Sequence, residues 1–397
     1  MLTKPALTAL FSRLHGAPFA IVWWDGSQRQ FGQGNPLFIL HFAQEPDFGS
    51  EDPILALGEA YMHGGLDIRG DWNALLDVLY RNRQLLDGPL ARMASVVRTL
   101  DRMRLKQKQK ANIAHHYDLG NDFYRLWLDD SMSYSCAYFA RPDMTLAEAQ
   151  QAKIDHTLVK LALAPDECLL DIGCGWGGLL IRAARQYGVR GVGITLSEEQ
   201  AALARERVAE AGLADRIEIR LQDWLDLEPQ PEFDKVVSVG MFEHVGHQHS
   251  ARFFERVSHC LKPGGLMLLH TITGQAEGGT NSWVEKYIFP GGEVPFPPQV
   301  LAHMQQHDFH LLAQESLRLH YARTLDCWLA NYEAAIDQVR ARFDETFCRM
   351  WYLYLKGCAA AFRAGGIDLH QYLVSLGPAR HPPRTLSYWY GAPVERW

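Results

Sequence analysis

Short apolar runs alternate with amphipathic stretches between residues 144 and 273 of the chain. The apolar runs lie at 168–172, 191–195, 217–221, 235–239 and 266–272. Between them, apolar residues recur with the period of a helix, as they do after the capping box formed by Thr145 and Glu148. Strands that alternate with helices are typical of a doubly wound, mostly parallel sheet. The pattern therefore predicts an α/β fold here, with a turn at 262–265 leading into the last strand.

The N-terminal part of the chain has a different pattern. An apolar, aromatic-rich run at 19–24 is followed by the turn residues Asp25 and Gly26, and a second apolar run occupies 36–42. These runs predict a sheet that contains a hairpin. Apolar residues at helical spacing over 71–80 predict a helix, so we expect a small α+β domain in this part of the chain.

The segment from 92 to 110 differs from the rest in charge. Its basic residues are Arg92, Arg98, Arg102, Arg104, Lys106, Lys108 and Lys110, and its acidic residue is Asp101. A stretch of this kind is usually a solvated linker. It could also face anionic lipid headgroups, where each charge is worth about 1 kcal/mol. The predicted organisation is an α+β domain at 1–90, a basic linker at 91–112 and a second domain at 113–397.

Composition excludes several classes of protein. The net charge of −7 disfavours a general nucleic-acid binder, and 47% apolar residues supply a sizeable core. The 7 cysteines form no C-x-x-C pair, so we expect neither a metal site nor a disulfide framework, and they fit a reducing compartment. No apolar run approaches the ~20 residues of a spanning helix, and the N-terminal residues do not resemble a signal peptide. We expect a soluble intracellular protein that touches a membrane at most from its surface.

A glycine-rich loop follows the first predicted strand of the second domain. Asp171 stands two residues before the first glycine of the series Gly173, Gly175 and Gly177. With Gly178, the loop also satisfies G-x-G-x-x-G, so a nicotinamide dinucleotide site is an alternative. The spacing D-x-G-x-G-x-G favours S-adenosylmethionine, because glycines let backbone N–H groups approach a ligand closely. Asp171 can fix the loop or meet the amino group of that ligand.

The ends of the next two predicted strands supply further candidates for the same ligand. A ribose-binding acid is expected at Glu198 or Glu199, next to a helix cap at Ser197. Asp223 can accept from an adenine amino group, and Trp224 can stack on the ring or else belong to the core. The candidate cofactor site comprises Tyr134, Ser135, Asp171, Gly173, Gly175, Gly177, Thr195, Gln200, Gln222, Asp223 and Trp224.

Further segments carry a resemblance to a known family. They lie at 116–124, 133–139, 237–246 and 268–272. Together with the glycine loop, they resemble the cyclopropane-fatty-acyl-phospholipid synthase family, which includes the mycolic-acid cyclopropane synthases. The resemblance runs from about residue 110 to 365. The sequence Leu-Gly-Glu-Ala-Tyr-Met at 57–62 is similar to the small lipid-associated domain of the bacterial phospholipid enzymes. The implied fold is a doubly wound S-adenosylmethionine-dependent methyltransferase with helical lid insertions.

The resemblance also implies an activity. A methyl group passes from S-adenosylmethionine to a cis double bond of an acyl chain, a proton is lost, and a three-membered ring closes. The implied base is a bound bicarbonate, held by Glu243, His270 and Tyr321 and by the backbone of Cys136 and Ile272. Each side chain also has a structural alternative, such as helix capping for Glu243 and core packing for His270.

Other implications of the resemblance are less well defined. Cys358 matches a cysteine once proposed as a nucleophile, although its small-residue surroundings favour packing. The aromatic-rich helices predicted at 325–363 suit an acyl channel as well as a core. The implied partner is a phospholipid bilayer with anionic lipids, bound peripherally from the cytoplasm, with no nucleic acid; association into a homodimer stays open. The alternative activity is transfer of a plain methyl group to an amine or an acyl alkene, because plant amine N-methyltransferases share much of the pattern.

Overall fold

The computed structural model describes residues 4–45, 53–82, 119–277, 281–379 and 384–391. The chain forms two compact units, each built from separate segments. The first unit takes the described residues of 1–109, 280–291 and 325–366, and the second takes those of 110–279, 292–324 and 367–397. The predicted boundaries near 90 and 113 lie outside the described residues, as does the basic stretch of 92–110.

The elements are numbered in chain order. The strands are β1 (Phe19–Val22), β2 (Gln28–Phe31), β3 (Phe38–Phe42), β4 (Leu66–Gly70), β5 (Cys168–Ile172), β6 (Arg190–Thr195), β7 (Ile217–Leu221), β8 (Phe233–Val239), β9 (Leu261–Gly274), β10 (Phe309–Ser316) and β11 (Ile367–Leu376). The helices are α1 (Lys4–Phe11), α2 (Pro53–Met62), α3 (Trp72–Arg81), α4 (Asn121–Tyr124), α5 (Leu146–Lys160), α6 (Gly178–Tyr187), α7 (Glu198–Glu210), α8 (His247–Cys260), α9 (Ser282–Tyr287), α10 (Pro297–Gln306), α11 (Arg318–Ala334), α12 (Ile336–Arg340) and α13 (Glu345–Arg363).

The first unit contains a four-stranded sheet in the order β2-β1-β3-β4. A hairpin with its turn at the predicted Asp25 and Gly26 is present, because β1 and β2 are antiparallel and Trp23 N–H donates to Ser27 O at 2.9 Å across the turn. Its second strand is β2 and not the apolar run at 36–42. The second apolar run forms β3, which pairs with β1 in parallel. Strand β2 was not predicted, since all but its last residue are exposed and it lacks an apolar run.

Helices from late in the chain pack on the N-terminal segment within the first unit. Trp283 of α9 donates from Nε1 to Met62 Sδ at 3.1 Å, at the end of α2. Glu59 Oε1, also on α2, accepts from two residues of α9, Lys286 Nζ and Tyr287 Oη, both at 2.6 Å. The sequence at 57–62 is therefore a docking surface for α9 inside this unit. Tyr352 of α13 likewise packs against the apolar core of the small sheet.

The second unit contains a seven-stranded sheet in the order β10-β11-β9-β8-β5-β6-β7. Strands β9, β8, β5, β6 and β7, which are neighbours in this order, run parallel to one another. Strand β11 pairs antiparallel with β9, and β10 pairs antiparallel with β11 at the edge of the sheet. Apolar clusters cover both faces of this sheet, as a doubly wound fold requires. The strand order reverses between β5 and β8, which is where ligands bind in open α/β sheets. The predicted α/β fold is confirmed.

Two local predictions compare differently with the structure. The capping box is present, because the Thr145 side chain accepts from Glu148 N–H and the Glu148 carboxylate accepts from Thr145 N–H. The predicted turn at 262–265 is wrong, because β9 already begins at Leu261. Its pairing with β8 jumps from Phe233–Leu261 to Lys235–Leu266, so the Pro-Gly-Gly sequence forms an irregularity within the strand instead of a turn before it.

Candidate active site

The candidate residues of the second unit gather at the carboxyl ends of its parallel strands. The glycine loop joins β5 to α6, and Gly173 and Cys174 donate through their N–H groups to Ile194 O of β6 at 2.9 and 3.0 Å. The three glycines have positive φ angles of 84° at Gly173, 53° at Gly175 and 78° at Gly177. The backbone therefore requires glycine at these positions.

Space around the loop differs from one glycine to the next. A Cβ on Gly173 would lie 2.7 Å from Met241 Cβ, whereas a Cβ on Gly175 would meet nothing within 4 Å. The backbone at Gly175 therefore borders open space at the switch point of the sheet. A ligand could therefore contact the main chain of Gly175 directly.

A buried pair of charged residues lies beside this loop. Asp171 is buried at the end of β5, and burial raises its pKa to about 7 although the charge of Lys153 opposes the shift. Burial likewise lowers the pKa of Lys153 to about 8. Lys153 Nζ donates to Ser135 Oγ at 2.8 Å, and the neighbouring Tyr134 ring packs edge-on against Trp127. The predicted residues Ser135 and Asp171 thus interact with a lysine that sequence reasoning missed, while the Tyr134 ring packs among aromatic side chains.

The end of β6 is held by side-chain hydrogen bonds. Thr195 Oγ1 donates to Gln200 Oε1 at 2.8 Å, and Ser197 Oγ accepts from Gln200 N–H at 3.2 Å as the cap of α7. Of the two expected ribose acids, Glu199 accepts from Asn121 Nδ2 at 3.2 Å, and Glu198 is exposed. Asn121 Oδ1 in turn accepts from Trp176 Nε1 of the glycine loop.

The end of β7 brings the remaining predicted cofactor residues together. Asp223 accepts from Leu225 N–H at 3.1 Å and caps a short 3₁₀ turn. Gln222 Nε2 donates to Asp226 O at 2.9 Å. Trp224 is half-buried with its ring edge-on to Phe253, so it belongs to the core on one side and stays accessible on the other.

Glu243 lies in a short 3₁₀ turn directly after β8. Its Oε1 accepts from Ile272 N–H of β9 at 2.7 Å, and its Oε2 is buried without a hydrogen-bond partner among the described residues. Burial raises the pKa of Glu243 to about 7. The resemblance placed the Ile272 amide on the bound anion; in the structure that amide donates to the Glu243 carboxylate, because the two strand ends are adjacent. Glu293 N–H donates to Glu243 O at 3.0 Å and holds the turn in place.

His270 lies near the end of β9, directly beside Val239 of β8. Its Nδ1 is 3.0 Å from Gln371 Nε2 of β11, and its Nε2 is buried without a partner among the residues that the structure describes. Burial and the charges of Lys153 and Lys160 hold the pKa of His270 well below its ordinary value, so the ring is neutral.

Cys136 and Tyr321 belong to the same unit. Cys136 is fully buried, and burial raises the pKa of its thiol well above the ordinary value, which disfavours the thiolate. The next residue, Ala137, donates through its N–H to Thr324 Oγ1 at 3.0 Å, one turn after the buried Tyr321 in α11. The 133–139 segment and the start of α11 are therefore held together.

Cys358 is in the other unit, in α13. Burial raises the pKa of its thiol to about 12, so it is protonated at neutral pH. A protonated thiol is a poor nucleophile. These surroundings agree with a packing role for Cys358.

Several polar residues near the site were not predicted. They are Asn121, Lys153, Thr157, Lys160, Glu315 and Gln371. Lys153, Thr157 and Lys160 are spaced four and three residues apart on α5, so they share one helix face. A polar stripe on a helix that also carries buried apolar residues was the available signal.

Two searches of the described residues concern other kinds of site. Within the described ranges, His, Cys, Asp and Glu side chains form no group of three or more that could hold a metal ion. No described helix combines the length and the apolar character that crossing a bilayer requires.

The sheet order, the glycine loop at its switch point and the polar strand ends define the class of S-adenosylmethionine-dependent methyltransferases. Known proteins extend this conclusion. A family model described as "Mycolic acid cyclopropane synthetase" matches residues 104–372, and a second, described as a domain of unknown function (DUF7884), matches residues 6–86. The chain belongs to the mycolic acid cyclopropane synthetase family.

Individual relatives cover the chain to different extents. The "Probable fatty acid methyltransferase" of Pseudomonas putida is 40% identical over 93% of this chain and 93% of its own. "Cyclopropane mycolic acid synthase 3" of Mycobacterium tuberculosis is 43% identical over 66% of this chain and 95% of its own. The crystal structure of mycolic acid cyclopropane synthase CmaA1 complexed with SAH and CTAB has a TM-score of 0.63 and 41% identity, and covers 67% of this chain and 98% of that one.

Proposed function

We propose that this protein transfers a methylene group from S-adenosylmethionine to the cis double bond of unsaturated acyl chains in membrane phospholipids, giving cyclopropane fatty acids, with bicarbonate as the base. The observation that carries the proposal is a pair of buried polar atoms, Glu243 Oε2 and His270 Nε2, that have no partner among the described residues. Native proteins rarely bury polar atoms without a partner, so a polar ligand is expected between these strand ends.

The glycine loop and its neighbours fit S-adenosylmethionine. This ligand supplies an electrophilic methyl group on a sulfonium. The backbone at Gly175 borders open space. Asp171 lies in the strand that leads into the loop, and Ser135 Oγ accepts from Lys153 Nζ. Trp224 presents an accessible ring for an adenine, and Asp223 is its hydrogen-bonding neighbour. These residues would hold the methyl donor at the switch point of the sheet.

The second group of residues fits bicarbonate. This anion would accept the proton lost from the transferred methyl group. Glu243 Oε2 can accept from its O–H, and His270 Nε2 can donate to one of its oxygens. The pKa of Glu243 is raised to about 7, so its neutral form is also accessible. In that form the proton would lie on Oε2, because Oε1 accepts from Ile272 N–H, and Oε2 would donate to the anion instead of accepting from it. Tyr321 and the backbone at Cys136 would complete the cradle.

The choice of a phospholipid rests on the N-terminal part of the chain. The relative whose match extends over 93% of this chain is a "Probable fatty acid methyltransferase", whereas the mycolic acid synthase matches over only 66%. The additional small sheet and the basic stretch of 92–110 suit a protein that approaches its substrate at the inner face of a membrane.

A second candidate is transfer of a plain methyl group to the acyl chain, which the name of the Pseudomonas putida relative favours. Lipid mass spectrometry after expression in a host rich in monounsaturated phospholipids separates the two. Both routes add one CH₂ and release one proton, but ring formation removes the alkene, whereas plain methyl transfer followed by loss of a chain proton leaves a methyl-branched alkene. Mild hydrogenation before mass spectrometry therefore adds two hydrogens to the branched product and none to the ring. Unchanged phospholipids, with S-adenosylmethionine bound by the purified protein, would contradict both candidates.

The base is tested in a carbonate-free assay. Purified protein should lose most of its activity when CO₂ and carbonate are removed and should regain it with added bicarbonate. Glu243→Ala and Tyr321→Phe should lower kcat more than they change the affinity for S-adenosylmethionine, because the lost contacts act mainly in the transition state. Full activity without carbonate would overturn the bicarbonate cradle.

A further inference from the structure

A chain of polar residues lies behind His270, on the side away from its unpartnered Nε2. It comprises the buried Gln371, Thr157 and Lys160 and the half-buried Glu315, and their hydrogen bonds do not involve Glu243 Oε2 or His270 Nε2. We propose that Gln371, oriented by Lys160 and Thr157, is a positioning residue that fixes the tautomer of His270, so that the Nε2 atom carries the ring hydrogen. The inference deepens the proposed function, because that hydrogen is the one offered to the anion.

Lys160 sets one end of the Gln371 side chain. It is fully buried, and its Nζ donates to Gln371 Oε1 at 2.5 Å. An ammonium group can only donate, so the amide oxygen must face it. Burial lowers the pKa of Lys160, and the ion pair with Glu315 opposes this shift and favours the charged ammonium. His156 Nε2 lies 2.8 Å from the same carboxylate. Hydrogen bonds from His156 and Lys160 outweigh burial and hold the pKa of Glu315 at about 2.

Thr157 sets the other end of the amide. Its hydroxyl donates to Lys153 O at 2.8 Å, one helical turn earlier in α5. The hydrogen of the hydroxyl is therefore used, and the oxygen can only accept from Gln371 Nε2, which lies 3.3 Å away. Lys160 and Thr157 thus give the same orientation of the Gln371 amide by two independent contacts.

This orientation decides where the hydrogen of His270 resides. Gln371 Nε2 lies 3.0 Å from His270 Nδ1 and carries only donor hydrogens, so Nδ1 must accept and is unprotonated. A neutral imidazole then has its hydrogen on Nε2. The contact is built into the sheet, because Gln371 and His270 are directly paired between β11 and β9.

The wild-type protein provides the decisive measurement. Nitrogen NMR of protein labelled on its histidine rings distinguishes a bare ring nitrogen from one that carries a hydrogen, and His270→Gln assigns the signal by its loss. We expect a bare Nδ1 and a protonated Nε2 at neutral pH, without added bicarbonate. A protonated Nδ1 in wild-type protein would overturn the inference, and this outcome does not depend on whether any variant folds.

Gln371→Glu tests the cause of the tautomer. The substitution keeps the shape of the side chain but places a carboxylate oxygen against Nδ1, so the ring hydrogen should move to Nδ1. We expect kcat to fall on the order of tenfold to a hundredfold, the size of effect seen when the residue that orients a metal-binding histidine is replaced. The affinity for S-adenosylmethionine should hold. Gln314→Glu adds the same charge at an exposed position of the neighbouring strand β10 and should change neither the tautomer nor kcat.

The outcomes separate this inference from the proposed function. If the ring hydrogen lies on Nε2 in the wild type and moves to Nδ1 in Gln371→Glu, the positioning role is supported. If the same protein is fully active without bicarbonate, the bicarbonate cradle is contradicted. A bicarbonate-dependent enzyme whose His270 tautomer is unchanged in Gln371→Glu would support the cradle and overturn the positioning role.

Discussion

Single residues in the site combine burial with incomplete hydrogen bonding. Glu243 is the main example, because one carboxylate oxygen accepts from Ile272 N–H and the other has no partner among the described residues. Sequence reasoning named Glu243 and His270 from their motifs. It could not give their partners, since Gln371 is about 100 residues away in the chain and comes beside His270 only through sheet pairing.

Burial of Glu243 predicts a pH-dependent stability. Its pKa is raised from 4.5 to about 7 in the folded protein, so the stability that the neutral carboxyl contributes is present below pH 4.5 and is lost as the pH rises towards 7. A shift of this size corresponds to about 3 kcal/mol. Glu243→Gln removes this buried charge, so in carbonate-free buffer its unfolding free energy, relative to that of the wild type, should be higher at pH 8 than at pH 4. The expected gain between the two pH values is about 3 kcal/mol.

Urea unfolding at the two pH values measures this difference. Glu206→Gln removes an exposed carboxylate from α7 and should change stability by less than about 0.5 kcal/mol at either pH. Equal stability of Glu243→Gln and wild type at both pH values would contradict the raised pKa.

Gly175 allows binding to be separated from backbone strain. Gly175 and Gly212 both have positive φ angles, 53° and 69°, and a Cβ at either would meet nothing within 4 Å. Valine at either position should therefore cost a similar amount, about 1–2 kcal/mol. Only Gly175→Val places a side chain at the candidate cofactor site, so it alone should weaken binding of S-adenosylhomocysteine, by about tenfold or more. Calorimetric titration together with thermal unfolding gives both quantities, and equal affinity in the two variants would contradict the assignment of the loop.

At the scale of elements, the sequence predicts strands whose residues form an apolar run. It does not predict strands that contain buried polar residues, such as β11, or strands that are exposed, such as β2. The sequence of β11 is Ile-Asp-Leu-His-Gln-Tyr-Leu-Val-Ser-Leu, and it is largely buried although Gln371 interrupts its apolar residues. The interruption has a physical cause, because Gln371 bonds His270 and Lys160 inside the unit. β2 escaped prediction for the opposite reason, since it is exposed and polar.

Helix α2 contains a glycine that its neighbour requires. A Cβ on Gly58 would lie 2.6 Å from Trp283 Nε1, so Gly58→Ala should destabilise the first unit by about 1–3 kcal/mol despite the better helix propensity of alanine. Gly357→Ala in α13 is the matched control, because a Cβ there meets nothing within 4 Å. It should stabilise the protein by about 0.5–1 kcal/mol. Urea unfolding followed by tryptophan fluorescence distinguishes the two, and equal shifts would contradict the close packing of α9 on α2.

At the scale of the whole molecule, the charge of the chain is unevenly distributed. The net charge is −7, yet the 92–110 stretch is strongly basic. If this stretch faces lipid headgroups, binding to vesicles with anionic lipids should fall with added salt, because exposed charges are screened. Replacing Arg102, Arg104, Lys106 and Lys108 with Gln should reduce co-sedimentation with such vesicles. If vesicle binding depends neither on salt nor on these four substitutions, the stretch is a solvated linker.

The division of the molecule into units was not evident from sequence. The aromatic helices at 325–363 suggested an acyl channel, and the structure places α12, α13 and most of α11 with the N-terminal sheet. Sequence periodicity identifies such helices but not the surface that they cover, because several apolar surfaces of the chain can accept an aromatic face.

The discontinuous first unit has a consequence for how the protein is made. The segments that form the small sheet and α2 emerge from the ribosome first. Trp283 and Tyr352, which pack on the apolar residues of that sheet and helix, are synthesised only after most of the large sheet. During this interval the nascent N-terminal segment has an uncovered surface and is open to aggregation or to chaperones. A fragment that ends at residue 90 should therefore be far less soluble than the intact chain. Supplying residues 325–366, the later segment of the same unit, as a second fragment should rescue it, which would be visible as co-purification of the two pieces.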